Sequence, residues 1–267
     1  MKIVALVRPV SDVSSAEALL ASSAGMAPAE ARMRLAPEPP ALLARLAPDV
    51  ADALVAKLRG AGLAALAVDE HTVEEGRTLV RTVTFADTSV TFSPRSGPPL
   101  EMAWEDVVAI FRGLSLVRTQ SEHTEKSRRL ALGTALVTGG LKMTRTAQTQ
   151  VRSTGEDTSQ VIFVFSRDGQ GAVLREHALD FSCLGPALQP VRTANMVMLA
   201  RLLRERAPRA FHDERLMRLG KRPVPFVMGG SVQVMSGGTS HARVNTAQGL
   251  DLLAEVMRLG LAQGLLP

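Results

Sequence analysis

Few residues in this sequence stand in arrangements that could do chemistry. Ser182-Cys183 and Ser240-His241 place a hydroxyl or thiol near a polar partner. Nucleophilic catalysis also needs a base within hydrogen-bond reach and an acid to orient it, and neither dipeptide lies in a local signature of that kind. Cys183 is the only cysteine. No neighbour in the chain is cationic enough to lower its pKa, so it reads as a small apolar packing residue. His71, His123, His177, His212 and His241 are scattered, and His212-Asp213-Glu214 is the one dense run of metal-ligand types. Its place after a helix end and before Arg215 reads as a solvated loop. Gly133, Gly139 and Gly140 precede Lys142, but Leu141 intervenes and no Ser or Thr follows at once, so the spacing of a phosphate-cradling loop is missed. The reading is of no catalytic residue, no metal ligand and no cofactor.

Charge offers more. The net charge is +5, unevenly spread: residues 1 to 70 carry seven basic and eight acidic side chains, and residues 201 to 222 carry eight basic and three acidic. Between them Arg118, Lys126, Arg128, Arg129, Lys142, Arg145 and Arg152 stand against Glu122 and Glu125. These seven cations are the candidate contacts to an anionic surface. They flank Leu130 to Leu141, a charge-free stretch too short to cross a bilayer but suited to shallow insertion beneath anionic headgroups. Nucleic acid is disfavoured, because Phe211 is the lone aromatic within the two basic segments and bases would have almost nothing to stack on. Solvated arginines on helix faces are the simpler account of the remainder.

At 267 residues the chain exceeds the usual single-domain size of roughly 100 to 200 residues, so more than one domain is expected. Hydrophobic residues make up 46% and aromatic residues only 3%, with no Tyr, which leaves Leu, Val, Ala and Met to fill the core. The Ala, Arg and Leu bias is that of a GC-rich genome. One thiol suits a reducing compartment, and Arg8 breaks the first apolar run too early for a secretory signal, so a cytoplasmic protein is expected.

Residues 1 to 68 read as strand, helix, short helix, loop, helix and strand. Lys2 to Val7 is the first strand, and Ser14 to Glu17 is a capping box opening a helix. Pro28 starts the second helix, while Pro37, Pro39 and Pro40 stop it. Pro48 starts the third, with Val50, Leu54 and Leu58 on one face. The stretch Gly25-Met26-Ala27-Pro28-Ala29-Glu30-Ala31-Arg32, with Leu46-Ala47-Pro48-Asp49-Val50-Ala51-Asp52-Ala53-Leu54 and Lys57-Leu58-Arg59-Gly60-Ala61-Gly62, resembles the C-terminal domain of the bacterial ribosomal stalk protein, a fold shared by the ClpS protease adaptor. The resemblance implies an α/β module that binds proteins. The stalk domain's helical lysines reduce here to Lys57, and no His precedes His71 to form the adaptor's peptide pocket, so no particular partner is carried over.

After a polar linker at 69 to 78, a second domain over 79 to 210 shows period-two strands at Leu79 to Phe85, Ser89 to Phe92, Leu100 to Trp104, Val107 to Phe111, Val161 to Phe165 and Val173 to Phe181, then a helix from about Thr193 to Arg206 with Val197, Leu199, Leu202 and Leu203 inward. Strands closed by one helix, and the phrase Leu100-Glu101-Met102-Ala103-Trp104-Glu105-Asp106-Val107-Val108-Ala109-Ile110, are similar to a bacterial pleckstrin-homology-like domain. That resemblance implies an antiparallel β-barrel with a closing helix and a binding role. Residues 113 to 160 interrupt it as an ordered insertion, and 211 to 267 form an extension, with a strand at Pro223 to Val234, a turn at Gly237-Gly238 and a helix at Thr246 to Leu265, packed on the second domain. The fold class is α+β. The expected function is binding or adaptor work for an unknown protein partner, with a peripheral membrane or phospholipid role as the alternative. Alanine-rich helices and the apolar stretch are compatible with a homodimer.

Overall fold

The computed structural model describes residues 1–70, 73, 75–130, 144–222, 224–226, 230–235 and 239–266. At 120–130, 144–153, 230–235 and 239–243 the description is of backbone. The protein is mixed α+β. Its residues fall into two compact units, one of Met1–Ser115, Thr158–Met228 and Thr246–Pro267, the other of Leu116–Asp157 and Gly229–Asn245.

The first unit opens with β1 (Lys2–Leu6), α1 (Val13–Ala24), α2 (Pro28–Leu35), β2 (Ala41–Leu46), α3 (Pro48–Gly60) and β3 (Ala65–Asp69). The three strands form an antiparallel sheet in the order β2-β1-β3. β1 is an unbroken apolar run because both faces are covered. Val4 and Leu6 pack beneath the helices with Leu20, Leu54 and Leu58, while Ile3, Ala5 and Val7 face a second core. Successive side chains in a strand point to opposite faces, so a strand buried on both has no place for polar alternation.

Three local expectations change. Residues 41 to 46 are a strand where a loop was expected. Ala-Leu-Leu-Ala-Arg-Leu is a run of helix formers, but Pro39, Pro40 and Pro48 leave no length for a stable helix, and β1 supplies a pairing edge, Lys2 opposite Leu46. The capping box does not form. Asp12 is the N-cap, accepting from Ser15 N at 3.1 Å and Ser15 Oγ at 2.6 Å, so α1 starts at Val13. Those bonds, the Ser15 hydroxyl first, hold the Asp12 carboxyl below its ordinary pKa. Glu17 instead accepts from Arg32 Nε at 2.8 Å and ties α1 to α2. On α3 the buried stripe is Ala51, Leu54 and Leu58, and Val50 is exposed.

The chain continues with β4 (Arg77–Phe85), β5 (Ser89–Pro94), β6 (Leu100–Ala103), a 3₁₀ turn at Trp104–Asp106, β7 (Val107–Leu130) and β8 (Thr144–Ser166), of which 116–130 and 144–157 belong to the other unit, then β9 (Gly171–Arg175) and a 3₁₀ segment at Ser182–Ala187. It ends with α4 (Arg192–Arg206), β10 (Phe211–Asp213), α5 (Leu216–Leu219) and, after β11 (Gly230–Met235) and β12 (Thr239–Asn245) of the other unit, α6 (Ala247–Ala262). The strand order here is β7-β8-β9-β4-β5-β6, with β10 along the far side of β7. Among the described residues this sheet does not close into the expected barrel. β4 meets β9 in parallel, Arg77 opposite Gly171, and β10 meets β7 in parallel, so the sheet is neither wholly antiparallel nor continuous from β6 back to β7. The strand expected over 173 to 181 ends at Arg175.

α4 covers one face of this sheet, burying Met196, Leu199 and Leu203 against Val83, Phe92, Ile110, Ile162 and Val164. Val197, expected inward, is exposed. The opposite face offers Phe111, Phe163, Phe165 and Val173 to α6, whose Leu250, Leu253, Val256 and Met257 also meet Ile3, Ala5, Leu66 and Val68. Each such side chain, fully buried, contributes about 1.5 to 3 kcal/mol. Gly220, just past α5, lies so close to β7 and α6 that a Cβ there would stand 2.5 Å from Leu114 O and 2.7 Å from Leu250 Cδ1.

In the second unit β11, β12 and the distal part of β7 pair antiparallel, Gly230 opposite Val244 and Asn245 opposite Val117, with β8 on the other side of β7. The described residues of the insertion 113 to 160 are thus strand, 113–130 in β7 and 144–160 in β8. Of the charge-free stretch, Ala131 to Leu141 lie outside the described residues, as does the Gly237-Gly238 turn, and within the expected strand at Pro223 to Val234 the observed strand begins at Gly230.

Candidate functional site

The first unit carries an open groove of about 650 Å³, within the roughly 300 to 1,000 Å³ range of small-ligand sites. One wall follows the end of α2 and the proline-rich turn into β2, with Met33, Ala36, Pro37, Pro40 and Ala41; the other is Leu219, Val224 and Pro225. Leu42, Leu219 and Leu253 reach down into the central core and are nearly inaccessible to water. Met33 is 75% exposed at the rim, an apolar side chain left in water where the wall ends.

Local chemistry places these walls. The prolines end α2 and turn the chain into β2. Opposite, Val224 sits on the backbone of α6: a Cβ on Gly249 would come within 2.2 Å of Val224 Cγ2. Gly249 is therefore what lets that wall approach the helix. The rim is charged. Arg34 pairs with Glu30 at 3.2 Å and lies 4.5 Å from the Phe226 ring centroid. Glu38 is bound by Arg218 at 2.7 Å. Arg222 lines the groove without an acid partner among the described ion pairs.

A buried ion cluster ties α6 to the larger sheet. Arg77 Nη2 donates to Glu255 Oε2 at 2.9 Å and to Asp251 O at 3.2 Å, while its guanidinium lies 5.8 and 5.5 Å from the ring centroids of Phe163 and Phe165. Arg175 donates to Asp251 Oδ2 at 2.6 Å, and Arg258 to Glu255 Oε1 at 2.6 Å. Burial pushes the Glu255 carboxyl up, but hydrogen bonds and charge from Arg258 and then Arg77 outweigh it, and the group titrates below its ordinary value. The cluster positions a helix. Three arginines face two carboxylates in it.

The residues singled out in the sequence are dispersed. Of the seven candidate anionic-surface contacts, Arg118 is exposed and bonded to Glu156, Nε to Oε1 at 2.7 Å. Lys126, Arg128 and Arg129 lie on β7 and Arg145 and Arg152 on β8, all as backbone, and Lys142 is outside the described residues. Many cations of 201 to 222 are occupied: Arg201 by Glu205, Arg204 by Glu214, Arg206 by Asp87 and Arg215 by Asp213.

His212, Asp213 and Glu214 each look elsewhere. His212 Nε2 stands 3.0 Å from Ala207 O, Asp213 holds Arg215, and Glu214 takes Arg112 at 2.9 Å. Burial lowers the His212 pKa. Among the described residues no three His, Cys, Asp or Glu groups converge as metal ligands. Cys183 is half-buried against the α4 core, and burial, with Asp180 nearby, pushes its thiol pKa up. Ser240 and His241 lie on β12, opposite Glu122 and Ser121 of β7.

The groove itself was missed in the sequence. Its walls come from residues about 180 positions apart, 33–42 on one side and Leu219, Arg222, Val224 and Pro225 on the other, and their one local signal is a set of apolar residues in a proline-rich turn that needs none. No helix of the described residues is long and apolar enough to cross a membrane. No protein-family model, curated protein or solved structure matches the chain.

Proposed function

We propose that this chain is a non-enzymatic binding or adaptor protein of the bacterial cytoplasm, with the groove between the α2–β2 turn and Leu219, Arg222, Val224 and Pro225 as its recognition surface. The observation that carries the reading is the groove's apolar lining down to Leu253 under a charged rim, the usual make-up of a binding site. The engagement of His212, Asp213 and Glu214 by other partners adds support. The order β1-α1-α2-β2-α3-β3 around a three-stranded antiparallel sheet supports a stalk- or ClpS-like module at 1–68. Strands followed by α4 remain the basis for a pleckstrin-homology-like relation of 79–210, in an open form.

The test is affinity purification of the tagged chain from its own cells alongside Ala36→Trp. Ala36 is exposed on the groove wall, so the indole fills the groove without entering the core. Loss of a stoichiometric partner, protein or small molecule, with Ala36→Trp is the expected result. Equal recovery from both chains would remove the groove from the function.

Charge favours one other reading, a peripheral membrane or phospholipid-associated protein. Residues 116–157 and 229–245 carry eight basic and four acidic side chains, so +4 of the total +5 resides there. Co-sedimentation with anionic vesicles that falls on Arg128→Glu/Arg129→Glu and with rising salt would support it; identical sedimentation of wild type and variant would end it.

A further inference from the structure

The chemistry of the groove narrows what it takes. Resting on the binding reading above, we propose that its ligand is a single-chain amphiphile with an anionic head, the chain lying along the exposed wall of Met33, Ala36 and Pro37 and the head meeting Arg222. Three observations carry this. The first is the groove's size and lining, about 650 Å³ with walls of Met, Ala, Pro, Leu and Val side chains, which suits a flexible hydrocarbon chain.

The second is charge. Glu30 is neutralised by Arg34 and Glu38 by Arg218, so Arg222 leaves the rim one positive charge in excess among the described residues. A carboxylate or phosphate head placed there gains a charge-assisted hydrogen bond from a guanidinium that already stands at the mouth. The third is the state of β2. It is an edge of its sheet, yet Ala41, Leu42, Leu43 and Ala44 are at most 5% exposed. That edge is covered, so an extended peptide cannot add to it as a strand.

Calorimetric titration of the full chain with dodecanoate, below its micellar concentration, tests the inference. Dodecyltrimethylammonium serves as the same chain with a cationic head. Lysophosphatidate with a dodecanoyl chain separates a lipid source from a free fatty acid. The expected result is one saturable site per chain for an anionic amphiphile, weakened about tenfold by Arg222→Glu and abolished by Ala36→Trp, with unchanged circular dichroism. Equal affinity for the cationic amphiphile, binding indifferent to Ala36→Trp, or no binding of either anionic probe would overturn it. If the anionic probes fail while recovery of a cellular partner still depends on Ala36, the amphiphile falls and the binding reading stands. If recovery is also indifferent to Ala36→Trp, both fall.

Discussion

β7 is two strands in one. From Val107 to Ser115 it carries Val107, Ala109, Ile110 and Phe111, each at most 3% exposed. From Leu116 to Leu130 it reads Leu-Val-Arg-Thr-Gln-Ser-Glu-His-Thr-Glu-Lys-Ser-Arg-Arg-Leu and belongs to the second compact unit. The backbone does not register the change. Ladder hydrogen bonds are made by main-chain groups that every residue but proline supplies in full, so a strand continues wherever a partner strand offers an edge. Burial is another matter, since it needs apolar area to offset the entropy of ordering the chain. The two halves show that strand formation and core formation are separate demands.

Substitutions in each half sharpen the contrast. Phe111→Ala, in the proximal half and packed on Phe165 and Phe211, should cost about 3 to 5 kcal/mol, read from chemical denaturation. Arg77→Ala should approach the same figure, because Asp251 and Glu255 stay buried beside a lost partner; breaking a buried pair costs about 3 to 5 kcal/mol. An Arg77→Ala chain with wild-type stability would mean that water reaches the cluster and screens it.

Gly220→Ala should cost about 1 to 3 kcal/mol, less than either, since its new methyl meets Leu114 O and Leu250 rather than removing a core ring. Acid should act on the same unit through Glu255. Its folded pKa lies below the ordinary value, so its contribution is fully present above the unfolded pKa of about 4.3 and fades as pH falls through the folded value. Denaturation midpoints of Glu255→Gln should therefore fall less steeply with acidification than those of wild type. Thr119→Ala, exposed on the distal half, should change stability by less than about 0.5 kcal/mol. A loss there comparable to that of Phe111→Ala would erase the distinction between the halves.

Much of the fold was legible where one local rule acts alone. The apolar run of β1, the prolines that open α2 and α3, and the helices at 192–206 and 247–262 follow from pattern and backbone restriction. β2 was not legible, because its Ala and Leu residues prefer a helix and only the edge of β1 makes them a strand. The N-cap of α1 was misplaced by two residues, Asp12 for Ser14, since both types cap well and only the Ser15 contacts choose between them. Nor could the site be read. The basic residues stand out in a sequence because charge is a property of one residue, while a groove is a property of several that meet only after folding.

The sequence by itself determined that this is an α+β protein with a low aromatic content, one thiol and its excess positive charge gathered in two segments, 118–152 and 201–222. Charge and local propensity belong to residues and survive in any arrangement of them. The tertiary structure decided that α6 would be buried between two sheets with Asp251 and Glu255 answered by Arg77, Arg175 and Arg258. It also brought Leu42, Leu219 and Leu253 together at the floor of one groove. Those outcomes depend on contacts between distant segments, whose energies exist only once the chain has closed the loops between them.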